Sequence, residues 1–176
     1  KVEIRLVETD DDDVLHDGIV SGELDAAFVV RRPPGEHVEM IPLCEDAYVL
    51  MAPKDAEPGP VPLTRLGEVP LVGQSASCMC QLGMDRALAA NGITPSYVFR
   101  SNDNGTVQAM VRAGVGYAVM PRLAVDTGDA SVSFLDLDPP LPNRRIFLAN
   151  RTDRTRAPVL DRFFEIAVEV CAGIRP

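Results

Sequence analysis

Proline placement constrains this chain more than any other feature. Pro53, Pro58, Pro60 and Pro62 fall within one short stretch, and Pro139, Pro140 and Pro142 within another. A proline ring fixes φ and removes a backbone donor, so neither cluster can run through a helix or a central strand. The two clusters bracket a middle block of roughly 80 residues. The expected organisation is a first lobe begun by residues 1–52, a second lobe over 53–143, and a return to the first over 144–176. Charge agrees with that closure. Residues 1–25 hold nine acids and two bases, whereas residues 144–156 hold five arginines and one acid. Packing these ends together lowers the repulsion inside one lobe.

Hydrophobic periodicity fills in the elements. Residues 2–7 (Val-Glu-Ile-Arg-Leu-Val) alternate as a half-buried strand does. Asp10 to Asp13 precede apolar Val14, Leu15, Ile19 and Val20, a helical spacing closed by Gly22. Ala26 to Val30 reads as a buried strand, giving a βαβ unit and a parallel sheet. Strands follow over 38–43 and 47–52. The middle block reads as strand 70–72, helix 79–91 with Leu82, Arg86 and Ala89-Ala90 spaced along it, strand 97–100, helix 106–113 and strand 115–120. Strand 145–150 and helix 158–171 complete the chain. The last helix carries Leu160, Phe163, Phe164, Ala167, Val168 and Cys171 on one broad apolar face.

Composition removes several function classes. The net charge is −9, from 26 acids and 17 bases, which argues against direct contact with nucleic-acid phosphates. The apolar runs fall far short of a membrane span, and no signal peptide is visible. Cys44, Cys78, Cys80 and Cys171 have no disulfide-framework spacing, which favours a reducing cytoplasm. A mature secreted chain would also lack its signal.

Catalytic and cofactor motifs are largely missing, so an enzyme is not expected. Gly73-Gln-Ser75-Ala-Ser77 resembles a nucleophile elbow without its closing glycine. His16 and His37 are the available bases, and a surface role suits each. Gly114-Val-Gly116 leads into a strand rather than a helix, so a dinucleotide cradle fails. No metal or cofactor site is expected. Cys78-Met79-Cys80 admits four readings: small apolar lining, ligand contact, redox chemistry favoured by a helix N-terminus, or a soft-metal pair.

The functional constellation is the set of polar helix starts: Thr9-Asp10, Ser75 to Ser77, and Ser101-Asn102-Asp103-Asn104, with Thr106 just inside the last helix. Each follows a predicted strand. In open α/β sheets ligands bind beyond the carboxyl ends of strands, where N–H groups and hydroxyls suit a carboxylate or another polar group. Ordinary helix capping explains each segment equally well.

Several motifs, in order, resemble the effector-binding domain of LysR-type transcriptional regulators. Gly22-Glu-Leu-Asp25 is similar to that family's turn into a buried strand. Leu43 to Pro53 is similar to its crossing strand, and Pro70-Leu-Val-Gly73 to the start of its second lobe. Val107 to Pro121 carries its "V-x-A-G-x-G-hydrophobic-P" pattern almost intact. The resemblance covers nearly the whole chain. It implies an α/β fold of two Rossmann-like lobes joined by two crossing strands, like type 2 periplasmic binding proteins, with an effector in the cleft.

Carried over by residue, the resemblance points to Thr9, Cys78, Met79, Cys80, Asn102 and Asp103; with Asp10, Ser75, Ser77 and Thr106 from the helix starts, these form the candidate ligand-binding set. It implies a small-molecule effector, a carboxylate or an aromatic, and a homodimer or tetramer in which helices 11–21 and 79–91 pair between subunits. The family's peroxide-sensing branch has a resolving cysteine that would fall near Leu88, so redox sensing of that kind is not expected. DNA contact is expected only through a helix-turn-helix segment that this stretch does not carry. The family's domain also starts with a strand and a helix ahead of Val2, which hold part of the cleft. A solute-binding protein of a transporter and a small hydrolase using Ser75 or Ser77 are the competing readings.

Overall fold

A computed structural model describes residues 2–9, 11–31 and 37–174. The chain divides into two compact units. Unit 1 comprises residues 1–45 and 145–176, and unit 2 comprises residues 46–144.

In unit 1, α1 (Asp12–Ser21) is capped by Asp11, whose carboxylate accepts from the Asp13 N–H at 2.9 Å. At its other end the Gly22 N–H donates to the Gly18 and Ile19 carbonyls. Strand β1 (Ala27–Val29) follows, and β2 (Val38–Asp46) leads toward unit 2. Strand β10 (Arg144–Arg151) returns from it, and α4 (Pro158–Cys171) is the last described helix. The sheet order is β1-β10-β2. Strand alternation assigns the two helices to opposite faces. Ala27, Val29, Phe147 and Ala149 pack with Ile19 of α1. Leu148 packs with Phe164 and Ala167 of α4.

In unit 2, β3 (Tyr48–Pro53) is the central strand. It pairs antiparallel with β7 (Ala118–Pro121) and with β8 (Val132–Leu135). Two-residue strands β4 (Val61–Pro62) and β9 (Leu137–Asp138) pair in parallel. So do β5 (Pro70–Gly73) and β6 (Ser96–Arg100). A parallel bridge between Leu71 and Tyr117 couples β5 to the chain entering β7. Helix α2 (Met79–Ala90) supplies Met84 and Leu88 to a core with Leu50, Leu71 and Val119. Helix α3 (Asn104–Arg112) supplies Val107 and Val111 to a core with Met51, Val72, Ala118 and Met120. Adjacent residues of each strand thus feed opposite cores, the mark of a sheet covered on both faces.

The glycine pattern near β7 has a steric cause. Gly114 sits at φ +74°, just past the end of α3, where a side chain would be strained. At Gly116 a Cβ would lie 2.5 Å from the Pro70 carbonyl oxygen. That approach lets the Tyr117 N–H donate to Pro70 and the Val72 N–H donate to Tyr117.

Four expectations need correction. Residues 2–9 form no strand: Val2, Ile4 and Leu6 are exposed, and no ladder pairs them among the described residues. Accordingly β1 is not part of a parallel βαβ pair; it runs antiparallel to β10. The buried face of α2 is Gln81, Met84 and Leu88, whereas Arg86 and Ala89 are exposed. The short strands β4, β8 and β9 were not anticipated. The last two lie in a stretch whose polar turns break any readable period.

Candidate functional site

Within unit 2 the carboxyl ends of β5 and β6 lie side by side and feed the starts of α2 and α3. Parallel pairing of β5 with β6 is the cause. The Ser101 N–H donates to the Gly73 carbonyl at 3.0 Å, carrying the pairing one residue beyond the strand ends. The two loops are then stitched by side chains. The Ser75 N–H donates to Asn102 Oδ1 at 2.9 Å, and Gln74 Nε2 donates to Asn104 Oδ1 at 3.0 Å. The Ser75 and Ser77 hydroxyls are 2.9 Å apart. The result is a shelf of neutral donors and acceptors over two helix starts, with Ser77 and Asn102 exposed.

Asp103 caps α3. Its Oδ1 accepts from both the N–H and the hydroxyl of Thr106 at 2.6 Å, and these bonds hold its carboxyl below the usual range. Asp103 and Thr106 therefore have local work whether or not a ligand binds.

Behind the shelf lies a polar network that the sequence reading missed. Gln81, 2% exposed, accepts from the Gln74 N–H at 2.8 Å and donates to Asp85 at 2.8 Å and to the Tyr97 hydroxyl at 2.7 Å. Tyr97 in turn donates to Asp85 at 2.6 Å. Burial and the Asp85 carboxylate push the Tyr97 phenol well above its ordinary value. The Arg100 guanidinium stacks 3.8 Å from the centre of the Tyr97 ring and donates to the Gln74 carbonyl at 2.7 Å. Gly73 makes room for this arrangement: a Cβ there would lie 2.6 Å from the Tyr97 ring. A glutamine followed seven residues later by another carries no recognisable sequence signal.

The start of α2 also faces a buried ion pair. Arg144 Nε and Nη2 each donate to Asp46 Oδ2 at 2.8 Å, and Asp46 is 1% exposed. Asp46 Oδ1 accepts from the Leu123 N–H at 3.1 Å. Arg144 Nη1 donates to the Cys80 sulfur at 3.5 Å, and the Cys78 thiol donates to Gln74 Oε1 at 3.5 Å. A hydrogen bond to Cys78 and burial push the Cys80 thiol up. Burial raises the Tyr48 phenol nearby to about 12. At Cys80 burial and the Cys78 contact thus act against the thiolate that a helix N-terminus would favour.

Of the ten candidate residues, Ser75, Ser77, Cys78, Met79, Cys80, Asn102, Asp103 and Thr106 all belong to unit 2. Thr9 belongs to unit 1, where its hydroxyl accepts from the Asp11 N–H at 3.2 Å. Asp10 lies outside the described residues. Unit 2 contains no histidine, so Ser75 and Ser77 have no imidazole base within their own unit. Among the described residues no group of three or more His, Cys, Asp or Glu is placed to hold a metal ion. No described helix is long and apolar enough to cross a membrane.

The fold is that of the periplasmic-binding-protein-like α/β class. The regulatory domain of CcmR from Synechocystis, solved with 2-PG, superimposes with a TM-score of 0.77 at 17% identity, over 92% of this chain and 80% of that one. The effector-binding domain of QuiR, solved with shikimate, gives 0.76 at 16% identity, over 90% and 77%. The family model described as LysR substrate binding domain matches residues 1–172, and the chain belongs to that family. Among curated proteins, the HTH-type transcriptional regulator YfeR of Shigella flexneri is 25% identical over 164 residues, 87% of this chain. The chain spans about half, 53%, of that relative's length.

Proposed function

We propose that this chain is the effector-sensing part of a bacterial LysR-type transcription regulator. The observation that carries the reading is the shelf formed by Ser75, Ser77, Asn102 and Asn104. In a member of this family, two helix starts and four neutral polar side chains meet at parallel strand ends. Neutral donors of this kind suit a carboxylate or another polar group, and relatives solved with 2-PG and shikimate support that class. Ligand contact through Thr9, Asp10, Cys78, Met79, Cys80, Asp103 and Thr106 belongs to the same proposal, as does a two-lobed organisation of the chain. An effector shifts the arrangement of the protein only by its differential affinity for two states. The output passes to DNA through a helix-turn-helix segment outside this stretch, in a cytoplasmic homodimer or tetramer paired through α1 and α2. Exposed Val14 and Val20 on α1 support a packing role for that helix.

The reading assigns no catalysis. Family membership favours it over a transporter component, and a serine lacking an in-unit base speaks against the hydrolase. The test is thermal melting against a panel of small carboxylates and aromatics, 2-PG and shikimate included. A ligand at a hundredfold its Kd stabilises by about 2.7 kcal/mol, which raises the melting point by several degrees. Loss of that rise in Asn102→Ala and Ser75→Ala is the expected outcome. A panel with no active member, or a rise untouched by both substitutions, overturns the proposal.

A further inference from the structure

At the opposite end of α2 from the shelf, unit 2 holds a small cavity of about 200 Å³. Two parts of the chain build it. Parallel pairing sets Pro62 of β4 against Asp138 of β9, and Leu63 and Pro139 continue the two segments. The end of α2 supplies the rest. Gly92, at φ +73°, turns the chain, and the Ile93 N–H donates back to the Leu88 carbonyl at 3.0 Å. Leu63 and Ile93 are buried members of the core under α2, and they give the cavity an apolar floor. Thr64, Asn91 and Asp138, all exposed, form its polar rim.

We propose that this cavity binds a small primary ammonium ion carrying an apolar group. Charge points that way from two directions. Asp138 brings a carboxylate, and no lysine, arginine or histidine lines the cavity. The end of α2 is the second negative element. The carbonyl end of a helix carries roughly half an elementary charge, and the last turn of this one has no basic residue to offset it. The cations next along the same elements are Arg65, which pairs with Glu68, and Arg86, which sits a turn earlier on α2. Donors are scarce as well. Pro62 and Pro139 have no N–H, the Ile93 N–H is spent on Leu88, and Asn91 Nδ2 donates to the Ala87 carbonyl at 2.8 Å. An anion would find neither charge nor donors here. A metal ion would find one carboxylate, and among the described residues no group of three or more metal-ligating side chains exists. A neutral apolar molecule would cover the carboxylate without pairing it, which costs free energy. An ammonium has three donors for the oxygens of Asp138, Asn91 and Thr64, while its carbon body covers Leu63, Ile93 and the proline rings. Size agrees: an apolar cavity of about 150 Å³ accepts benzene, so a six-membered ring bearing an amine is on scale. Alkylamines are protonated at neutral pH, as the lysine amine with its pKa of about 10.4 is.

The test titrates the chain with cyclohexylammonium chloride, followed by proton–nitrogen correlation NMR. Cyclohexanol and cyclohexanecarboxylate serve as neutral and anionic matches of similar shape. Saturable shifts are expected at the amides of Leu63, Thr64, Asn91, Ile93 and Asp138. Cyclohexanol should bind more weakly, and the carboxylate should leave these signals unmoved. Asp138→Asn keeps the shape of an exposed side chain and removes its charge. It should weaken the ammonium about three- to fivefold, the scale of an exposed ion pair, and leave cyclohexanol unchanged. The titration of the natural chain locates the ligand without any variant. Absence of a saturable shift across the millimolar range, or shifts centred on Ser75, Ser77 and Asn102 instead, overturns the proposal. So does an alcohol or carboxylate that binds as tightly as the amine, or an unaltered affinity in Asp138→Asn. The cavity shares no residue with the shelf, whose own test is the melting series, so either reading can fail alone.

Discussion

In unit 2 the buried polar side chains Asp46, Gln81 and Gln108 all have partners. Gln108, for example, donates to the Asp126 carbonyl at 3.0 Å and accepts from the Asp126 N–H at 3.0 Å. In unit 1 four buried polar atoms make no hydrogen bond among the described residues: His16 Nε2, Arg31 Nε, Asn150 Oδ1 and Arg156 Nη1. Among the described residues the apolar cores differ in the same sense, eleven and seven buried residues in unit 2 against four and three in unit 1. A polar group withdrawn from water costs free energy unless it is paired. The contrast teaches that unit 2 spends its buried polarity on fixing loops, those at Gln74, Leu123 and Asp126, whereas unit 1 carries buried polarity that fixes less.

Substitutions can break or sharpen that contrast. The largest effect is expected for Asp46→Ala. It strands the Arg144 guanidinium and the Leu123 N–H, and removing one member of a buried pair costs about 3–5 kcal/mol. Urea unfolding measures this, and a loss under about 1 kcal/mol would remove the pair from the argument. Next come two matched changes. Gln81→Leu leaves the Gln74 N–H and the Asp85 carboxylate short of a partner and should cost about 1–3 kcal/mol. Asn150→Leu removes a group whose Oδ1 is unpaired and should change stability by less than about 1 kcal/mol. Equal losses at the two positions would erase the distinction between the units.

A third change concerns titration alone. The Asp103 carboxyl is held down by Thr106, so its contribution is present above the ordinary carboxylate pKa and fades as pH falls through the folded value. Thr106→Val should move the Asp103 midpoint up toward the ordinary value, read by NMR titration of its carboxyl. An unmoved midpoint would assign the shift elsewhere. The smallest effect is expected for Glu68→Ala. Its pair with Arg65 is exposed at both ends, and such pairs contribute about 0.2–1 kcal/mol.

Helices were the most legible part of the sequence. The apolar spacing of α4, together with Pro158 at its start, sets both of its ends, and the fold class followed from the order of motifs. Residues 2–7 show where periodicity stops. Alternation gives a segment two faces but no neighbour, and a strand exists only where another backbone pairs with it. The shelf residues Ser75, Ser77 and Asn102 were readable because helix starts have a local signature. Gln81, Tyr97, Asp46 and Arg144 were not. Gln81 is a polar residue on the buried face of a helix. Asp46 and Arg144 are 98 positions apart, a separation that no local pattern spans.

The three tyrosines of the chain are Tyr48, Tyr97 and Tyr117, and all belong to unit 2; the chain has no tryptophan. Tyrosine absorption and tyrosine fluorescence are therefore signals of unit 2 alone. Unit 1 can melt without changing either except through its neighbour. The Tyr97 phenol, bonded to a carboxylate and stacked under a guanidinium, is the tyrosine that lies directly behind the shelf. An optical assay on the natural chain would see the shelf without any added dye, and would need phenylalanine or amide signals to see the other half at all.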